Sequence, residues 1–172
     1  MLSKNNINNV CMFLFFITLL LLAGCGFKYR GDGEYIYNGF FASHRHELYF
    51  GRVEDATEEL NFNIGYLPEE HMNIGLETKI ENSEPFDKSK VQIIVKDNQE
   101  NEIIINQTES LEKMRWGQII GENKHQNRFL RINSFSPIHK HTYTISFKMI
   151  ERDPNGVPLN LMIEGEYRMW VP

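Results

Sequence analysis

An all-β fold, arranged as one antiparallel β-sandwich, is what the sequence predicts, on three observations. Beyond residue 25 no stretch of about ten residues or more repeats its apolar side chains at helical spacing. Instead, roughly eight to ten short segments alternate apolar with polar residues or carry dense β-branched runs, as strands do. Clusters of Gly, Pro, Asn and Asp punctuate them. Short strands separated by turns build sandwiches rather than helical layers.

The segments follow in order. Tyr35, Ile36 and Tyr37, then Leu48, Tyr49 and Phe50, alternate within an aromatic-rich stretch that also holds Phe40 and Phe41. Glu54-Asp55-Ala56-Thr57-Glu58-Glu59 reads as a solvated acidic loop. Leu60, Phe62 and Ile64 alternate with Asn61, Asn63 and Gly65, and Ile74, Leu76, Thr78 and Ile80 with Gly75, Glu77, Lys79 and Glu81. Both predict half-buried strands with one wet face. Pro68-Glu69-Glu70 is the turn between them, and Asn82-Ser83-Glu84-Pro85 ends the second, because proline lacks a ladder donor.

Val91 to Val95 and Ile103 to Ile105 predict a strand pair around the polar turn 97–101. Leu111 and Met114, three apart, predict a single helical turn, and Trp116 a core residue. Ile119-Ile120 and Phe129 to Ile132 read as two more strands. Tyr143, Ile145 and Phe147 alternate, Asp153-Pro154-Asn155-Gly156 is turn chemistry, and Leu159 to Trp170 returns as a long strand. These last two strands are expected to form the hairpin that closes the domain.

The first stretch has a different character. Lys4 precedes an almost wholly apolar run from Val10 to Leu22, followed by Ala23 and Gly24. A basic start, an apolar core and small residues make a secretory signal. The run is shorter than the roughly 20 residues a spanning helix needs. Leu22-Ala23-Gly24-Cys25 resembles the lipobox of bacterial lipoproteins. The resemblance implies that the Cys25 sulfur carries a diacylglyceryl group, that cleavage precedes it, and that the new amino terminus is acylated. Gly26 then stands where an aspartate would favour the inner membrane, which implies an outer-membrane protein facing the periplasm. The expected organisation is a signal peptide over 1–24, a lipidated polar tether over 25–33 and the β-sandwich over 34–172.

Composition narrows the function classes. The chain of 172 residues carries a net charge of −5, and loss of Lys4 with the signal makes the body one unit more acidic. An acidic body disfavours nucleic acid, whose binding rests on neutralising phosphates. Of the two cysteines, Cys11 lies in the signal and Cys25 is the lipid site. The body therefore has no disulfide, no thiolate metal site and no cysteine nucleophile.

One further resemblance concerns the fold. Phe135-Ser136-Pro137 followed by Tyr143 to Phe147 resembles the corner before the penultimate strand of immunoglobulin-like and fibronectin-type domains. It implies an immunoglobulin-like sandwich in which the Tyr143 hydroxyl bonds back to the corner backbone.

Chemistry-bearing motifs are few. His44-Arg45-His46 and His139-Lys140-His141 are His-x-His pairs, a spacing that puts both imidazoles on one face of a strand. His44, His46, His139 and His141 are thus the candidate metal ligands, although each pair encloses a cation and no metal or other cofactor is expected. Arg30-Gly31-Asp32 is a tripeptide too short to signify adhesion. Nucleophile-elbow, zincin and phosphate-loop motifs are absent, and the aspartates all sit among turn residues or charges, as solvated ones do. The expectation is a non-enzymatic lipoprotein held in the bilayer through acylated Cys25 and binding a protein partner. Tyr35, Tyr37, Phe40, Phe41, Glu54, Asp55, Glu58 and Glu59 are the candidate contacts. Small lipid-anchored periplasmic sandwich proteins resemble a set that includes immunity proteins of secreted effectors. The competing expectations are a small-ligand or metal-binding lipoprotein and an envelope assembly accessory.

Overall fold

In the computed structural model, residues 29–40, 43–53, 58–79, 87–114, 117–118 and 127–168 are described. The predicted signal, Cys25, Trp116 and Ile119-Ile120 lie outside them. The strands are β1 Arg30–Gly31, β2 Glu34–Phe40, β3 Ser43–Arg52, β4 Leu60–Gly65, β5 Met72–Lys79, β6 Lys90–Asp97, β7 Glu102–Ser110, β8 Gly117–Gln118, β9 Asn127–Phe135, β10 Thr142–Glu151 and β11 Asn160–Arg168. The expected helical turn is a 3-10 turn over Leu111–Lys113, with Leu111 buried.

Two antiparallel sheets form, in the orders β1-β4-β10-β6-β7 and β2-β3-β11-β5-β9-β8. Alternation explains how they face each other. In β6, Val91, Ile93 and Val95 point inward, and in β10 Tyr143, Ile145 and Phe147 do the same. From the second sheet Leu48, Ile74, Leu76, Leu130, Leu161 and Ile163 meet them in one cluster. Two sheets enclosing one apolar layer make a β-sandwich.

The register fixes two ends. Arg30 pairs with Gly65, Gly65 with Thr142, and Tyr143 with Asp97. These, with the 66–71 and 136–141 loops, form the end at which the described chain enters. Leu60 pairs with Phe147, Glu151 with Lys90 and Arg52 with Asn160, forming the far end.

Three expectations need correction and one is refined. The predicted closing hairpin does not exist: β10 pairs with β4 and β6, whereas β11 pairs with β3 and β5 in the other sheet. The linking segment is tied elsewhere. The Arg152 guanidinium binds Asp87 and donates to the Gly156 and Val157 carbonyls, and Leu159 is wholly buried. The chain therefore crosses the end of the core instead of folding back. Second, β5 is buried on both faces, Glu77 and Thr78 included, because it lies between β11 and β9.

Third, the expected pairing of the Val91–Val95 and Ile103–Ile105 runs forms as β6 with β7, but only Ile105 of the isoleucine run is in the core. Val95 pairs with Ile105 but Lys96 with Ile103, so a bulge leaves Ile104 without a facing residue and turns Ile103 outward. Fourth, the end of the predicted tether is docked. Arg30–Gly31 pairs with the edge of β4, Asp32 exchanges two hydrogen bonds with the Asn63 backbone, and Arg30 lies over the Tyr66 ring, 5.0 Å from its centroid. The Arg-Gly-Asp tripeptide is thus engaged by the sandwich itself.

Candidate functional site

The entry end gathers Tyr29, Tyr35 and Tyr37 with His46, His139 and His141. Tyr29 stacks on Tyr35 with centroids 5.2 Å apart and planes 12° from parallel. The Tyr35 hydroxyl shares a short hydrogen bond with His46 Nδ1. His46 Nε2 faces Glu70 Oε2 at 3.5 Å, close enough for attraction but long for a hydrogen bond. The ring of Tyr37 lies 5.1 Å from that of His46. The antiparallel β2–β3 pairing explains the cluster, since Tyr37 sits opposite His46 and Tyr35 opposite Leu48. Burial, then the nearby charge of Glu70, pushes the Tyr35 hydroxyl well above its ordinary range.

Neighbouring histidines at this end have separate partners. His139 is exposed and pairs with Glu69 at 3.2 Å, while His141 Nδ1 lies 2.7 Å from Asp97 Oδ2. Burial acts to raise the Asp97 pKa, but His141 and the Glu100 and Gln99 amides outweigh it and hold the carboxyl below its ordinary value. His46, His139 and His141 thus engage three different carboxylates. Among the described residues no group of three or more His, Cys, Asp or Glu side chains converges as a metal site would. The side chain of His44 lies outside the described set.

A second cluster lies across β3 and β11. Arg45 bridges two carboxylates, Glu47 at 2.6 Å and Glu164 at 3.2 Å, and the Tyr49 hydroxyl donates to Glu47 at 3.2 Å. Glu77 accepts from Asn160 at 3.4 Å. Burial, then Glu47 and Glu77, raises the Tyr49 pKa above its usual range. One arginine shared by two glutamates is a structural ion-pair network, and its members already satisfy one another. The outer face of the first sheet is likewise internally bonded, with Thr144 reaching Asn63 at 3.1 Å and Gln92 reaching Asn106 at 3.0 Å.

At the far end the predicted contacts divide. Glu58 and Glu59 are exposed just before β4. Glu54, Asp55 and Phe41, together with the Phe40 side chain, lie outside the described set. Glu59 adjoins Leu60, whereas Tyr37 sits several ladder pairs away toward the entry end. Among the described candidates, Tyr37 and the Glu58–Glu59 pair therefore lie at opposite ends and do not form one surface.

The same far end holds Asp87, whose neighbours in sequence predict a solvated residue. It is 1% exposed. It accepts from Arg152 at 3.1 Å, from the Ser89 amide at 2.7 Å and from the Val157 amide at 3.0 Å. Asp97 is also buried, and it accepts from Gln99 and Glu100. Both were missed because each has polar neighbours in sequence while its partners, apart from local amides, come from distant segments. Arg152 beside the Asp153-Pro154-Asn155-Gly156 turn is the available signal: a half-buried cation calls for an anion beside it.

The Tyr143 expectation is met in its geometry. Tyr143 is buried, the Ile138 amide donates to its hydroxyl oxygen at 2.7 Å, and Phe135 packs edge-on against its ring. No family model, curated protein or solved structure matches the chain.

Proposed function

We propose that this chain is a lipid-anchored, non-catalytic binding module of the bacterial cell envelope, held through Cys25 in the outer membrane and facing the periplasm. In this reading the sandwich is immunoglobulin-like, a kinship supported by the Tyr143 corner bond. The observation that carries the functional reading is the polarity of the body. The chain enters at one end and Glu58 and Glu59 are exposed at the other. An anchor at Cys25 directs those acids away from the bilayer, toward a soluble basic partner such as a secreted effector, which the protein would inhibit by covering it. Acidic side chains at such a rim accelerate and select association more than they add affinity.

Two arms of one capture experiment test this in the full-length protein. Cys25→Ala shifts the folded chain from the membrane fraction to the soluble fraction. Glu58→Lys with Glu59→Lys leaves anchoring intact but strips any basic partner captured from periplasm, with the loss greatest at low salt. A Cys25→Ala chain that stays membrane-bound after its signal has been cleaved overturns the anchor. Capture unchanged by the charge reversal overturns the acidic docking end.

A further inference from the structure

We infer that the entry end of the sandwich is itself a membrane-contacting face, whose occupant is the headgroup–acyl boundary of the bilayer that holds the anchor. The inference rests on the lipid-anchor reading and extends it from an attachment point to a docked orientation. Its first support is chain length. Only Gly26, Phe27 and Lys28 separate Cys25 from Tyr29. Four residue steps reach at most about 14 Å. Tyr29 is not free to extend that reach, because it stacks on Tyr35 and leads directly into β1, which is paired to β4. The body therefore cannot stand off the bilayer.

The second support is the surface presented there. Beyond the level at which Gly165 pairs with both Met72 and His46, β2, β3 and β11 continue to the row in which Ser43 pairs with both Phe40 and Arg168. Three further ladder pairs protrude by roughly 10 Å, comparable to the interfacial layer on one side of a bilayer. The 136–141 loop lies at the same end and carries Ile138, 53% exposed, while Tyr37, 51% exposed, lies at the base of the hairpin. Ile103 and Ile104 are also exposed in this half, at the edge of the first sheet. Among the described residues, the exposed large apolar side chain of the far half is Ile150.

Charge does not supply this attachment. Glu69, Glu100 and Glu102 are exposed at the entry end alongside Arg30 and Lys140. Contact is accordingly apolar and aromatic, the mode in which tyrosine and isoleucine settle at a lipid interface.

The test uses the full-length lipidated protein in zwitterionic phospholipid vesicles, with an environment-sensitive fluorophore on an introduced thiol. Ile138→Cys and Tyr37→Cys report the entry end, and Ile150→Cys is the matched control at the far end. All three positions are exposed, so labelling leaves the core intact. With brominated lipids, the probe at 138 loses most of its emission, the probe at 37 loses part, and the probe at 150 keeps its emission. If the protein is vesicle-bound but all three probes keep their emission, or lose it equally, the docked face is wrong and the anchor stands. A protein that does not partition into vesicles or native membranes removes the anchor reading and this inference with it.

Discussion

Asp87 shows how one side chain directs the path of the chain. Its carboxylate is fully buried, and its partners come from Ser89 on one side and from Arg152 and Val157 on the other. The 152–157 segment is thereby held against the residues that precede β6. Asp87→Asn keeps the volume but removes the charge opposite Arg152. Losing one partner of a buried pair costs about 3–5 kcal/mol, and Arg152 keeps part of its hydration, so a loss of about 3 kcal/mol is expected. Urea denaturation reads it as a lower midpoint with an unchanged slope. An unchanged midpoint would mean that the turn is held by its own backbone bonds, such as Gly156 to Asp153. Neither Asp87 nor Asp97 announces its burial in sequence, since loop composition reports neighbours along the chain and not across it.

At the level of elements, β5 carries the tightest packing constraint. A Cβ on Gly75 would stand 2.1 Å from the Leu130 carbonyl oxygen and 2.9 Å from the Phe129 ring. The β5–β9 ladder shifts register at the same place. Gly75→Ala forces the two strands apart, which costs about 1–3 kcal/mol, and thermal unfolding of the variant measures it. A wild-type melting temperature would show that the bulge absorbs the methyl group. The strands themselves were legible because period-two alternation is a local signal: β4, β6 and β10 carry it plainly in Leu60, Val91 and Tyr143 and their successors. The aromatic cluster at Tyr35 and Tyr37 was visible in composition, but its histidine partner was not, because His46 looked like half of a metal pair. Pairing is a property of distant residues, and so the β10–β11 link was misread: turn chemistry at 153–156 shows where the chain bends and not which sheet it bends into.

The described part of the molecule is a sandwich with two unlike ends, one carrying the entering strand, His46, His139, His141 and the exposed Tyr37, the other Glu58 and Glu59 before β4. Its pairings are mostly distant in sequence. β2 with β3 and β6 with β7 are joined by short turns, while β1 pairs with β4, β4 with β10, and β3 and β5 both with β11. Such topology slows folding to milliseconds or seconds, because loop closure precedes the contacts that offset it. Stopped-flow refolding of the Cys25→Ala chain should fall in that range, and microsecond folding would contradict the assigned order of strands. The position of β11 has a consequence for synthesis. This strand joins β3 to β5 at the centre of the second sheet, so a chain emerging from its amino end can complete only half a sandwich until Asn160–Arg168 is available. Long after the first strands have been made, the second sheet is still two separate pieces, β2-β3 and β5-β9-β8, awaiting the strand that joins them.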